Sequence, residues 1–349
     1  MLNHVRRPRV LRAAAACLVL AAVASACGSD ETTATTVTLP QTVVVTHVAG
    51  DDTSQLMAAL YAQALENAGL RVVRKDPIGD RSAYWDATQQ GSVQVVPEKT
   101  GDLLAYLHSI GATPQSTTTT VAPATSALDT TTIPGASVPE TVRVDTEATT
   151  TTTLPTNPRT VDDQVAVINS LLPTTLVVSS AGTGEVKQVI ACSQTAEQAH
   201  TMGTLTDLGE VADQIVLGGP TGFETSTPLG LGTLADSYHA TSFKQFVPLT
   251  DDQISDAVKN GTVDCVVTSS DNPAIGAQTM TVLLDDKALV DPNAPVALVN
   301  RDAGTPTVLQ ALDSVSSKLT QEQLNSLIDQ MKNKGQSPDY LASVFLSTS

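Results

Sequence analysis

From residue 42 onward the chain alternates short apolar runs with segments whose apolar residues recur at helical spacing. Val43-Val44-Val45 gives way to a polar loop, His47 to Thr53. Leu56, Met57, Leu60, Tyr61, Ala64, Leu65 and Ala68 then fall at the spacing of a helix that Gly69 closes. Leu70 to Val73 reads as a second strand. After a further helical segment, Val93 to Val96 reads as a third, ending on Pro97-Glu98-Lys99-Thr100-Gly101. Strands that alternate with helices predict an α/β fold around a parallel sheet, whose ligands sit in loops at the carboxyl ends of the strands. That marks two loops, His47 to Thr53 and Pro97 to Gly101.

The second half repeats the alternation. Val161, Val165, Ile168, Leu171 and Leu172 share one helical face, and strand-like runs follow at Thr175 to Ser179 and Val186 to Cys192. A short helix near Thr206 to Ala212 precedes a buried strand with a glycine loop, Gln214 to Gly219. Thr250-x-x-Gln253 is a capping box for the helix carrying Ile254, Ala257 and Val258, which Gly261 closes. The strand Val263 to Val267 ends at Thr268-Ser269-Ser270-Asp271. After Val282 to Leu284 and Pro295 to Val299, three helices finish the chain: Thr307 to Lys318, one capped by Thr320 with Gln323, and one opened by Ser337-Pro338.

Two stretches break the pattern. Arg6, Arg7, Arg9 and Arg12 precede an apolar segment, Ala13 to Val23, too short for a comfortable membrane span and ending in Ala24-Ser25-Ala26-Cys27-Gly28. Residues 1–26 therefore read as a signal peptide and the chain as exported. The context of Cys27 looks like a bacterial lipobox, whose cysteine becomes the acylated N-terminus; the alternative is an ordinary signal peptide with a chance cysteine. Residues 27–41, polar and Thr-rich, suit a tether to the outer face of the cytoplasmic membrane. Residues 113–158 collapse into Thr, Pro, Ala, Ser and Val without apolar periodicity, and are expected to be a disordered surface insert.

Composition narrows the chemistry. A formal charge of −17, more negative still without the leader arginines, argues against a nucleic-acid partner. Aromatic residues make up only 3% of the chain, so a site that needs an aromatic cage has few candidates. His4, His47, His108, His200 and His239 include no i, i+4 pair around a glutamate, and no zinc site is expected. No G-x-S-x-G elbow is present, and Gly230-Leu231-Gly232 lacks the preceding strand of a dinucleotide fingerprint. The chain thus offers no sign of an enzyme or a cofactor. With Cys17 in the leader and Cys27 acylated, Cys192 and Cys265 remain as an even pair in an oxidising compartment; they are expected to form a disulfide, the alternative being two buried thiols.

Several segments carry a family resemblance. Tyr61 to Gly69, the spacing to Gly91 through Leu107 with Pro97-Glu98-Lys99-Thr100-Gly101, Gln214 to Gly219 and Asp256 to Val267 are similar to the osmoprotectant-binding proteins of ABC importers, which capture glycine betaine, choline or carnitine. The resemblance spans about residues 42–110 and 175–347. It implies a bilobed, periplasmic-binding-protein-like (type 2) α/β fold, with crossovers near Thr175 to Ile190 and Thr268 to Leu284. Lobe I would begin as residues 42–112, lobe II would be 159–270, and 271–349 would return to lobe I. It also implies a small-molecule solute, an ABC permease and ATPase as partners, and a monomer.

The expected ligand residues are His47, Glu98, Lys99 and Thr100 from the first lobe, and Phe223, Glu224 and Asp271 from the second. Lys99 stands where the family carries a tyrosine, and Thr225 where an arginine is expected. A quaternary ammonium prefers aromatic faces and is repelled by an ammonium, so a simple quaternary amine is not the expected ligand. Each site residue has a plainer alternative. Lys99 would pair with Glu98 or Asp102 at the surface, and Phe223 would pack its loop onto its own lobe. The alternative to a solute carrier is a cell-envelope lipoprotein that keeps the fold with a degenerate site.

Overall fold

The computed structural model describes residues 41–114, 155 and 157–347. The leader, Cys27, the tether up to residue 40 and most of the Thr/Pro-rich insert lie outside the described residues. In chain order the elements begin with β1 (Thr42–Val45), α1 (Asp52–Asn67), β2 (Arg71–Arg74), α2 (Arg81–Gln89), β3 (Val95–Lys99), α3 (Thr100–Ser109), α4 (Val161–Leu171) and β4 (Leu176–Val178). There follow β5 (Gln188–Cys192), α5 (Gln194–His200), α6 (Leu205–Val211), β6 (Val216–Gly219), α7 (Leu231–Tyr238), β7 (Gln245–Pro248), α8 (Ile254–Lys259), β8 (Cys265–Ser269), α9 (Pro273–Ala277) and β9 (Thr281–Val282). The chain ends with β10 (Pro295–Asn300), α10 (Pro306–Ser316), α11 (Gln321–Lys332) and α12 (Pro338–Ser347).

Two five-stranded sheets organise these elements, in the orders β2-β1-β3-β10-β4 and β7-β6-β8-β5-β9. In each sheet the first three strands are parallel, and the fourth runs antiparallel to both its neighbours. That fourth strand is the one by which the chain has just crossed over: β5 enters the second lobe and β10 returns to the first. Two mixed sheets, each flanked by helices, form the bilobed α/β architecture that the family resemblance implies.

The apolar faces account for the packing. Leu56, Met57, Leu60, Tyr61 and Leu65 of α1 are buried beneath α10, α11 and α12, whose Val308, Leu312, Leu324, Ile328 and Leu341 complete the same core. α11 opens with the Thr320–Gln323 capping box, and Thr250 with Gln253 forms the box that precedes α8. In the second lobe, Cys192 and Cys265 lie opposite each other on β5 and β8 and are joined by a disulfide, with Cα atoms 3.9 Å apart. No helix among the described residues is long and apolar enough to cross a membrane.

Lobe boundaries differ from the sequence reading. α4 packs Ile168 and Leu171 against Leu103 and Leu107 of α3, and β4 pairs with β10, so the first lobe extends to Val178 and the second begins at Gln188, not at residue 159. Thr268 is paired inside β8, Leu284 bridges to Thr204, and Leu289 and Val290 still pack on the second-lobe core; the second crossover therefore runs from Asp291 to Ala294. Both shifts have one cause. The strands on which the boundaries turn find their partners far away in sequence, where local periodicity carries no signal.

Candidate ligand-binding site

The segment Pro97 to Gly101 is a strand running straight into a helix, not a loop. β10 pairs Pro295 with Lys99 and Val296 with Glu98, which holds the backbone extended until α3 begins at Thr100. The pleat sends successive side chains to opposite faces. Glu98 turns inward, its side chain 3% exposed, while Lys99 points toward the space between the lobes. Thr100 is fully buried: its N–H donates to the Ala294 carbonyl at 2.9 Å, and its Oγ1 accepts from the Ala294 N–H at 3.1 Å. That hydroxyl fastens α3 to the returning crossover and is spent on the fold, not on a ligand. At Gly101 a Cβ would lie 2.7 Å from the Pro292 carbonyl oxygen, so only glycine permits this approach.

Both charges at the junction are matched internally. Glu98 accepts from Tyr84 Oη at 2.6 Å and from Arg81 Nη2 at 3.0 Å, so its carboxylate serves this network and does not face the cleft. Burial pushes the Glu98 carboxyl above its ordinary range, against the opposing pull of Arg81 and Tyr84. Lys99 Nζ lies 2.7 Å from Asp51 Oδ2 and 3.6 Å from Asp102 Oδ2. Burial by itself would lower the Lys99 ammonium, but the Asp51 carboxylate outweighs it and the net shift is upward. Asp51 shows the mirror case: burial would raise it, and Lys99 brings it below the usual carboxylate range.

Asp51 and Arg81 were not among the sequence candidates. Asp51 caps α1, accepting from the Ser54 N–H at 2.8 Å, and the Asp51-x-x-Ser54 spacing before an apolar helix was a readable signal. Arg81 opens α2 behind its own cap, Asp80, and nothing in its neighbourhood pointed to Glu98. His47 lies elsewhere. It lines a separate hollow with Gln55, Ala58 and Pro338, and burial lowers its pKa against a weaker upward pull from Asp51. The loop's contribution near Lys99 is therefore Asp51, which a turn closed by its N–H on the Val48 carbonyl at 3.3 Å separates from His47.

In the second lobe Phe223 is 1% exposed and stacks on Phe246, with centroids 5.8 Å apart and planes at 21°. It packs the loop onto its own lobe, the plainer of its two readings. Glu224 beside it is exposed to solvent and does not line the cleft. Asp271 reaches across the lobes, accepting from Thr53 Oγ1 of α1 at 2.6 Å. The preceding Ser270 carbonyl accepts from Asn325 of α11 at 3.0 Å, so this strand end is also seated on the first lobe.

Between the lobes lies a cleft of about 770 Å³. Lys99 and Asp102 border it from the first lobe, Pro220, Thr268 and Ser269 from the second, and Lys187 and Asn293 from the crossovers. Its lining among the described residues includes no aromatic side chain. A smaller hollow of about 150 Å³ adjoins it within the first lobe, with Arg81, Tyr84, Glu98, Lys99 and Asp102 in its wall. No group of three or more His, Cys, Asp or Glu among the described residues is placed to hold a metal ion.

Residues 41–348 match the OpuAC family, described as the substrate binding domain of ABC-type glycine betaine transport systems. Among solved structures, a glycine betaine/carnitine/choline ABC transporter protein superposes with a TM-score of 0.67 at 14% identity, covering 88% of this chain and 98% of the other. Apo YehZ from Escherichia coli superposes with a TM-score of 0.64 at 16% identity, with the same coverages of 88% and 98%. At these identities the likeness establishes the fold. No curated protein sequence matches the chain.

Proposed function

The chain belongs to the family of substrate-binding domains of ABC-type glycine betaine transport systems, and from that premise we propose that it captures a small polar or zwitterionic solute outside the cytoplasm and delivers it to a membrane permease with its ATPase. The observation that carries this reading is the cleft between two sheets of the same strand order, bordered by the ends of β3 and β8. Ligands of open α/β sheets bind at such carboxyl ends, and two lobes joined by crossovers close by hinge motion. Cys27 would carry the lipid anchor that holds the protein at the outer face of the membrane. Cys27→Ser is expected to abolish fatty-acid labelling and release the protein to the medium.

The lining supports a solute other than a simple quaternary amine. Lys99 occupies the cleft margin, and no aromatic face among the described lining residues offers the roughly 0.5–2 kcal/mol that each such contact gives a cation. Converging hydroxyl, amide and charged groups suit a solute that both donates and accepts hydrogen bonds. A thermal-shift screen of betaine, choline, carnitine, amino acids and sugars tests this reading. A true ligand at 100-fold its dissociation constant adds roughly 2.7 kcal/mol of stability. Tight binding of choline or betaine, strengthened by Lys99→Tyr, would keep the site and overturn the ligand class.

One observation favours a second reading, an envelope lipoprotein that keeps the fold without a ligand. Asp51, Arg81, Glu98 and Lys99, the charged groups nearest the β3 end, are paired with one another. No stabilisation by any solute in the screen would favour it.

A further inference from the structure

Arg81 sits in an arrangement that resembles a receptor more than a surface ion pair. Its guanidinium carbon lies 5.8 Å from the Tyr84 ring centroid and 5.3 Å from that of Tyr106. Tyr106 is held edge-on by Trp85, with centroids 5.2 Å apart. Nη2 donates to Glu98 Oε2 at 3.0 Å, and Nη1 donates to the Asp102 carbonyl at 3.0 Å. Two aromatic faces, a buried carboxylate and a carbonyl therefore converge on one cation, and Arg81, Tyr84 and Glu98 also wall a hollow of about 150 Å³. Glu98 has Tyr84 as its other side-chain donor, so the guanidinium supplies the positive charge that makes burial of this carboxylate tolerable.

We propose that Arg81 is the built-in occupant of a cation cage formed by Tyr84, Tyr106 and Glu98, and that it determines specificity by keeping small guanidinium and methylated ammonium cations out of the first lobe. Three features carry the proposal beyond a structural ion pair. The occupant arrives on a side chain that is 30% exposed, whereas its carboxylate partner is 3% exposed, so the charge enters the cage from the solvent side. The cage groups come from three places in the chain, α2, the end of β3 and α3. The neighbouring hollow leaves room for a free cation once the arginine stem is removed. For transport the proposal rests on the solute-binding reading, since it explains why a member of a betaine-binding family would reject cations; the cage itself is testable without it.

The experiment is calorimetry with methylguanidinium chloride and tetramethylammonium chloride, with sodium chloride as the ionic-strength control. The expected result is no saturable binding to the wild type and one-site binding to Arg81→Ala, tighter by at least roughly tenfold. The Arg81→Ala/Glu98→Gln double variant is expected to lose it again. Should Arg81→Ala not fold, Arg81→Ser carries the same test, because it too removes the stem and the charge and serine is well accepted in the first turn of a helix. A folded Arg81 variant that takes up neither cation overturns the proposal, as does a wild type that binds either one as tightly as the variant. The two readings separate cleanly. Cation uptake by the variant, in a protein whose wild type binds no solute, keeps the cage and removes the solute carrier; solute binding by the wild type without cation uptake by the variant does the reverse.

Discussion

The two lobes share one strand order and carry opposite chemistry at the strand ends that face each other. In the first lobe, β3 ends on Glu98 and Lys99, and each is held in a network of partners from α1, α2 and α3. In the second, the corresponding strand β8 ends on the neutral hydroxyls of Thr268 and Ser269, and the neighbouring β6 ends on Gly218-Gly219, beyond which Phe223 turns into the core. A Cβ on Gly218 would lie 2.7 Å from the Leu249 side chain and 3.1 Å from that of Val263, so β6 is closely packed where it ends. The repeated topology thus places a cleft between strand ends that carry a charged network on one lobe and neutral groups on the other.

The largest expected effect tests the second half of that contrast. Phe223→Ala empties a fully buried position that stacks on Phe246, and it is expected to cost about 3–5 kcal/mol in urea unfolding. Glu224→Ala next to it is exposed and is expected to fall within about 0.5 kcal/mol of wild type. Equal effects at the two positions would mean that Phe223 does not pack as described. Next in size, replacing both Cys192 and Cys265 by alanine removes a bridge between residues 73 apart in sequence. The loss is expected to be about 2–4 kcal/mol, read as a lower urea midpoint. It should leave the first-lobe network unchanged.

The same contrast explains what the sequence revealed. Helical spacing and capping boxes placed α1, α10 and α11, since those signals are local. The motif at Pro97 to Gly101 marked the right strand end but suggested a loop, because the pairing of β10 that keeps Lys99 extended joins residues almost 200 positions apart. β7 and α5 left little trace: β7 is a short edge strand, and α5 is a polar helix that buries only Ala196. At the site, Lys99 was legible as a departure from the family. Its counterion Asp51 was hidden in a capping role, and Arg81 was hidden altogether, since ion pairing across the fold has no periodicity. For Thr100 and Phe223 residue type suggests ligand contact, Phe223 having packing as its alternative, and the structure buries both in the fold.

Smaller effects test the first lobe. Tyr84→Phe removes a donor 2.6 Å from a carboxylate already raised by burial, and is expected to cost about 1–3 kcal/mol. A raised carboxyl is least costly when protonated, so the deficit should shrink as pH falls through the Glu98 titration. Lys99→Ala acts on a carboxylate shifted the other way. Asp51 is depressed in the folded state, so its contribution is complete above the ordinary carboxylate range and is lost as pH falls through the depressed value. The Lys99 contribution is complete below the ordinary lysine range and is lost only as pH rises through its raised value. The wild-type advantage over Lys99→Ala should therefore be flat around neutrality and decline in strong acid and strong alkali. A decline near neutral pH would mean that the pair is not formed as described.

The smallest thermodynamic effect bears most directly on how the lobes meet. Thr53 Oγ1 donates to Asp271 Oδ2 at 2.6 Å, joining the start of α1 to the end of β8 across the cleft. Asp271 keeps Ser269 as a second donor, so Thr53→Val strands no buried charge, and the expected loss in urea unfolding is at most about 1 kcal/mol. The bond spans the two lobes, beside the Ser270–Asn325 contact that seats the same strand end on the first lobe. Its removal should therefore act on the balance between open and closed arrangements, and a ligand that favours the closed arrangement should bind more weakly by the same free energy. Small-angle scattering of the ligand-free variant is expected to show a larger radius of gyration than wild type, with the urea midpoint nearly unchanged. A stability loss as large as that of Tyr84→Phe would make the contact part of the static fold. An unchanged radius together with an unchanged affinity would make it a surface contact with no part in closure.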